Sequence, residues 1–174
     1  MTSEWISVGK ITKTHGLKGE LKVRFRISDS GLLSQIHRLR LMGENGPGTE
    51  LEVEFFRGDP SRLIIKFKEL NSIDEAKAFS GHTLYARRED FHELPEGEYY
   101  WFQIEGLKVY DEAGQYYGCV HEIIATGSND VYVVRDGEKE ILLPMIEPVV
   151  KTIDLQEKKL IFHKLDGLIE DTPV

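Results

Sequence analysis

Residues 9–26 read GKITKTHGLKGELKVRFR, the pattern of two strands joined by a glycine loop. Over residues 20–27 polar and apolar side chains alternate strictly. Leu21, Val23, Phe25 and Ile27 fall on one face; Glu20, Lys22, Arg24 and Arg26 fall on the other. A period of two is the signature of a strand with one buried face. Upstream, Ile6 and Val8 alternate with Trp5, Ser7 and Gly9, which predicts a second strand. Between the two lie Gly16 and Gly19, bracketing Leu17 and Lys18. Paired glycines allow positive φ and close backbone approach, so the strands are expected to meet in a glycine hairpin.

Working outward, residues 51–56 and Leu63–Phe67 predict two further strands. The stretch GENGPGT at residues 43–49 joins strands. Ser72 followed by Glu75 fits a capping box, with Asp74 in the first turn and Gly81 at the C′ position of a short helix. Residues 32–39 suggest another helical turn. Beyond a polar, acidic seam (EDFHELPEGE, residues 89–98) the chain is again β-rich. Strands are expected at 107–110, Tyr116–Ala125, 131–134, 141–143, 152–155 and Lys159–Phe162, with a hairpin at Asp136-Gly137. Two prolines make 141–150 (ILLPMIEPVV) read as a rigid connector packed on the second barrel rather than a central strand, with an exposed binding strip as the alternative. The expected fold is mainly β, two small β-barrels in tandem with one short helix. The first spans residues 1–92, a linker 93–98, and the second 99–174.

Composition supports a globular chain. Of 174 residues, 40% are apolar and 16 are glycine, enough to build cores. One cysteine, Cys119, excludes an intramolecular disulfide and a cysteine-rich zinc site. No leader or membrane segment is evident, so a cytoplasmic protein with no membrane association is expected. The net charge is −8, which taken whole argues against a non-specific nucleic-acid binder. The total hides a split. Residues 1–92 carry 15 Lys+Arg against 13 Asp+Glu; residues 93–174 carry 7 against 17. Residues 1–40 alone carry 8 basic and 3 acidic residues. A basic front and an acidic back suit a partner with both faces, such as a protein–RNA assembly; chance clustering on two solvated surfaces is the competing reading.

Candidate functional residues follow. Lys22 and Arg24 share a strand face with same-side spacing of about 6.6–7 Å, a geometry that can track a phosphate backbone. A Gly-x-x-Gly loop also clamps nucleotides in KH domains, but there it joins helices, so that fold is rejected. An ordinary solvated strand face competes with the RNA reading. His15 invites a general-base role, yet no nucleophile is placed near it by spacing. Cys119 and His121, two apart on one presumed strand face, invite a nucleophile pair; a small core cysteine and an unrelated histidine explain them better. The six histidines lack metal-ligand spacing, and no metal or cofactor is expected. Tyr99, Tyr100, Trp101 and Phe102 (in EYYWF, residues 98–102), taken as a strand, would send one aromatic pair inward and leave the other for a partner.

The segments GKITKTHGLKGELKV, YYWFQIEGLKVYDEAGQYYGCV, GSNDVYVV and ILLPMIEPVVKTIDLQEKKLIF occur in this order with this separation. Together they resemble the RimM family of ribosome maturation factors over residues 6–169. The resemblance implies a translation-factor-type barrel followed by a PRC barrel. It implies a non-catalytic assembly factor for the small ribosomal subunit, with no cofactor; a monomer is expected. It further implies binding to the immature head through the nineteenth small-subunit protein and nearby rRNA. His15, Gly16, Leu17, Lys18 and Gly19 match the family's first motif, and Tyr99, Tyr100 and Trp101 its aromatic motif. Two alternatives remain: an RNA-processing enzyme using His15 or Cys119/His121, and a PRC-barrel adaptor for some other protein.

Overall fold

A computed structural model describes residues 4–26, 30–44, 46–59, 62–167 and 169. Ile27, expected at the end of the second strand, lies outside the described residues. The chain divides into two compact units, Met1–Glu93 and Leu94–Val174.

The first unit opens with β1 (Trp5–His15) and β2 (Glu20–Phe25), followed by α1 (Ser30–Gln35), β3 (Arg38–Met42), β4 (Thr49–Arg57) and β5 (Leu63–Phe67). It ends with α2 (Ile73–Lys77), β6 (Thr83–Arg87) and a 3-10 turn, Arg88–Asp90. The six strands close into a barrel in the order β1-β2-β5-β4-β3-β6. The alternation in β2 does what its pattern predicts: Leu21, Val23 and Phe25 are buried while Arg24 is exposed. Val8, Ile11, Leu39, Leu41, Ile65, Phe67 and Leu84 complete the apolar interior.

Three expectations in this unit change. The stretch 32–39 is not one helical turn. Leu32 and Leu33 belong to α1, while Leu39 and Leu41 point inward from β3. The strand β6, with Leu84 and Ala86 buried, adds to the strands that the sequence pattern predicts. The capping box at Ser72 is present: Glu75 N–H donates to Ser72 Oγ at 3.2 Å, and the Ser72 N–H donates to the Glu75 carboxylate at 3.1 Å. Gly81, however, is not C′. The helix ends at Lys77 with Ala78 as its cap, and Gly81 closes a later turn whose N–H donates to the Ile11 carbonyl at 3.0 Å.

The second unit begins with α3 (Trp101–Ile104), then β7 (Lys108–Asp111), β8 (Tyr116–Ala125), β9 (Asp130–Asp136), β10 (Lys139–Pro144), β11 (Val150–Asp154) and β12 (Lys159–Phe162). The sheet order is β10-β9-β8-β7-β12-β11, with β12 parallel to β7 and the other pairs antiparallel. Ile104, Val109, Val120, Val134, Leu143, Leu160 and Phe162 form one buried cluster, so helix and sheet wrap a single core.

Residues 98–102 are not a strand. Tyr100 is extended and caps α3: its N–H donates to the Gln103 Oε1 at 2.8 Å, satisfying a main-chain donor that a strand would have paired laterally. The stretch 141–150 is only partly a connector. Residues 141–144 pair with β9, and Pro144 sits where its missing N–H costs no ladder bond.

Candidate functional site

The hairpin between β1 and β2 is pinned from behind. Gly16 and Gly19 have φ of 63° and 80°. At Gly19 a Cβ would lie 2.2 Å from the Leu70 carbonyl oxygen, so only glycine lets the loop seat against residues 70–71. The Leu17 carbonyl accepts a hydrogen bond from the Ile73 N–H at 3.1 Å, using a donor that the first turn of α2 leaves free. Glu75 accepts from the Asn71 N–H at 2.7 Å; that bond, with the Ser72 contacts, holds its carboxyl below the usual range. Beneath them the buried Lys66 donates to the Phe67 carbonyl at 2.7 Å and to Asn71 Oδ1 at 3.3 Å, and pairs with Glu54 at 3.2 Å. The result is a rigid loop whose tip is Leu17, 78% exposed, beside an exposed Lys18.

The strands below the loop carry an unusual arrangement of charge. The register sets Lys10 opposite Arg24 and Lys13 opposite Lys22. Like charges directly opposite in an antiparallel pair destabilise it, by roughly 0.2–1 kcal/mol each. Among the described residues none of Lys10, Lys13, Lys22 and Arg24 forms an ion pair. Glu20, at the loop end of the ladder, is taken by Arg57 at 2.8 Å. Next to this ladder lies a cleft of about 500 Å³ lined by Thr12, His15, Lys22, Arg24 and Arg62 among others. Thr12 is the extra residue of a β1 bulge, and its hydroxyl donates to the Lys22 carbonyl at 3.0 Å.

The fold therefore brings His15, Lys22 and Arg24 to one cleft and holds Gly16, Leu17, Lys18 and Gly19 at its end. Arg62 is the residue that sequence reasoning missed. It immediately precedes β5, whose Leu63 pairs with Val23 of β2. Only that long-range pairing carries Arg62 to the basic face, and no local pattern announces it. Positive side chains converging on an open cleft without carboxylate partners can hold phosphate groups.

The aromatic residues are divided between tasks. Tyr99 packs, half-buried, against the core of the second unit. The Tyr100 ring stacks on Phe102 with centroids 5.3 Å apart and planes 10° apart, and Trp101 meets Phe102 edge-on at 5.4 Å. These rings support one another around the four-residue α3 and do not alternate across a sheet.

Cys119 and His121 do not form a pair. The β8–β9 register slips at His121, which breaks the alternation that two-residue spacing assumed. His121 is exposed, and the Cys119 sulfur instead lies 3.4 Å from the Tyr116 hydroxyl. That contact pushes the Tyr116 pKa up to about 12. Among the described residues no group of three or more His, Cys, Asp or Glu could hold a metal ion, and no helix is long and apolar enough to cross a membrane.

Comparison with known proteins matches residues 6–91 to the RimM N-terminal domain and residues 101–168 to the RimM PRC barrel domain. A ribosome maturation factor RimM of Moorella thermoacetica is 40% identical over 97% of this chain and 99% of its own length. That of Bacillus subtilis is 37% identical over 98% and 100%. A crystal structure from Pseudomonas aeruginosa, of a 16S ribosomal RNA processing protein RimM, is 32% identical, covers 93% of this chain and 98% of its own, and has a TM-score of 0.46. A closed six-stranded barrel followed by a six-stranded sheet, matching these two domains in order, is the architecture of a ribosome maturation factor. The chain belongs to the RimM family, and its role is in ribosome maturation, in association with the ribosome or its subunits. The family is not known for enzymatic activity.

Proposed function

We propose that the chain is a non-catalytic assembly factor of the small ribosomal subunit, working in the cytoplasm as a monomer without a cofactor. Its basic β1–β2 face would lie on rRNA of the immature head, with Leu17 and Lys18 entering at the loop. Its acidic second unit would take a basic head protein, the nineteenth of the small subunit, with Tyr100 and Trp101 as aromatic anchors and Tyr99 supporting them from the core side. A factor that binds the immature head better than the mature one shifts the population and then leaves.

The observation that carries the reading is the opposition of Lys10 to Arg24 and of Lys13 to Lys22 beside the Arg62 cleft. Such a ladder costs stability in the free chain, and a polyanion turns that cost into affinity. Sedimentation of a lysate through a sucrose gradient tests it. The protein should travel with free small subunits and be absent from intact ribosomes. Recovery only at the top of the gradient at low salt would overturn the reading.

A further inference from the structure

The outermost strand of the second sheet, β10, is bonded on one side only. It pairs with β9 from Lys139↔Asp136 to Pro144↔Val131, and no strand lies beyond it in the described sheet. The parity of its main-chain groups can be fixed at both ends. A two-residue loop, Gly137-Glu138, closes the hairpin, so Lys139 and Asp136 exchange hydrogen bonds. At the other end the Met145 N–H donates to the Asp130 carbonyl at 2.8 Å. In an antiparallel pair bonded and non-bonded positions alternate. Lys139, Ile141 and Leu143 therefore bond inward to β9. The N–H and C=O of Glu140 and of Leu142 point outward from the sheet, as does the Pro144 carbonyl. The last is used by the Ile146 N–H at 2.9 Å. Among the described residues the outward groups of Glu140 and Leu142 have no partner.

The side chains leave this edge open. Leu143 is fully buried, whereas Glu140 is exposed and Leu142 is 51% exposed. β10 itself carries one charge of each sign, Lys139 and Glu140, and Glu140 pairs with Arg135 at 2.6 Å, but its surroundings are acidic. Residues 130–148 hold five acidic and two basic side chains, and residues 93–174 as a whole hold 17 against 7. A second copy of the chain would set one net-acidic unit against another. An extended segment with Lys or Arg flanking an apolar residue would meet unpaired main-chain groups, the Leu142 side chain and opposite charge at once.

We infer that β10 is a strand-addition site: an extended basic segment of a protein partner pairs with the outward N–H and C=O groups of Glu140 and Leu142. This rests on the reading above that the acidic unit takes a basic ribosomal protein, and adds the main-chain mode by which it does so.

Amide hydrogen exchange of the full-length chain, alone and with purified immature small subunits, tests the inference. In the free chain the Glu140 and Leu142 amides exchange at least tenfold faster than those of Ile141 and Leu143. On binding they slow to match them. Two variants separate main chain from side chain. Leu142→Pro deletes the outward donor without touching a bond to β9 and weakens subunit binding at least tenfold. Leu142→Ala keeps the donor and stays within about threefold. Should Leu142→Pro unfold the second unit, the exchange measurement decides alone. Binding that leaves the Glu140 and Leu142 amides fast overturns the inference but spares the assembly-factor reading. Absence of any binding overturns both. Protection that grows with the concentration of the chain alone replaces the basic segment with a second copy and also overturns it.

Discussion

The Leu17 carbonyl and the Ile73 N–H are 3.1 Å apart, and this one hydrogen bond ties the exposed loop of β1–β2 to the start of α2. The helix spans only five residues, too short to stand on its own propensity. Its value is as a clamp: Ser72 and Glu75 satisfy its first donors, Ile73 reaches the loop, and Gly19 packs on the chain just before it.

Gly19→Ala is expected to loosen that clamp. The new methyl would meet the Leu70 carbonyl at 2.2 Å, in a backbone conformation that itself costs roughly 1–2 kcal/mol outside glycine. The unfolding temperature of the first unit should fall by at least about 5 °C. Leu17→Ser, at the exposed tip, should leave it within about 1 °C and weaken subunit association instead. Circular dichroism melts and gradient sedimentation of both variants check this; an unaffected Gly19→Ala melt would remove the clamp.

Replacing Lys22, Arg24 and Arg62 by Gln should flatten the salt dependence of association. Each lost phosphate contact removes about 0.7–0.9 from the slope of log K against log salt, so three give about 2–3. The same change at Lys68, which is paired with Glu52, should leave the slope unchanged. Binding titrations between 50 and 200 mM salt, on the order of the range where such contacts act, make the comparison.

Tyr99 and Tyr100 should separate. Tyr99→Ala removes a ring packed on the core and is expected to cost about 1–3 kcal/mol of stability in the second unit. Tyr100→Ala removes a stacking partner of Phe102, worth about 0.5–1.5 kcal/mol, and should act mainly on partner binding. Urea unfolding alongside subunit binding reads both; equal loss of stability in the two would make Tyr100 a core residue.

Asp111 supplies a pH test. Its carboxylate accepts from the Gln115 N–H at 2.9 Å and from the Tyr117 hydroxyl at 3.1 Å, and these bonds hold its pKa below the usual carboxylate value. A depressed folded pKa stabilises the fold above the unfolded value of about 3.9 and is lost as pH falls through the folded one. Asp111→Asn should therefore be less stable than the parent at pH 7. The gap should narrow as the pH drops below about 4. Denaturant midpoints across that range would show it; a gap independent of pH would mean the bonds do not depend on charge.

Much of this fold is written locally. Alternation in β2, the Ser72/Glu75 box and the Asp136-Gly137 turn each name their own structure, because period and capping chemistry are properties of neighbouring residues. What escaped has two causes: neighbouring local patterns that compete with one another, and pairings set by distance in sequence. In β3, RLRLM alternates as cleanly as β2, but it follows α1 after two residues, and its first two residues fall within the stretch 32–39 that reads as one helical turn. The aromatic run at 99–102 looks like a strand until the Gln103 side chain takes the Tyr100 N–H, which starts a helix. The basic face shows the same division. His15, Lys22 and Arg24 were legible beside the loop, while Arg62 and the Lys10–Arg24 opposition exist only through strand register.

That opposition makes folding and binding two sides of one equilibrium. With Lys10 against Arg24 and Lys13 against Lys22, the first unit folds against its own repulsion, and any polyanion laid along the ladder relieves it. On the proposed reading the ribosomal particle would act as a stabilising ligand for the first unit, and a simple anionic polymer should do so in miniature. Polyphosphate at low salt would raise the melting transition of the first unit and leave that of the acidic second unit in place. The first barrel would then reach its full stability on the particle rather than in free solution.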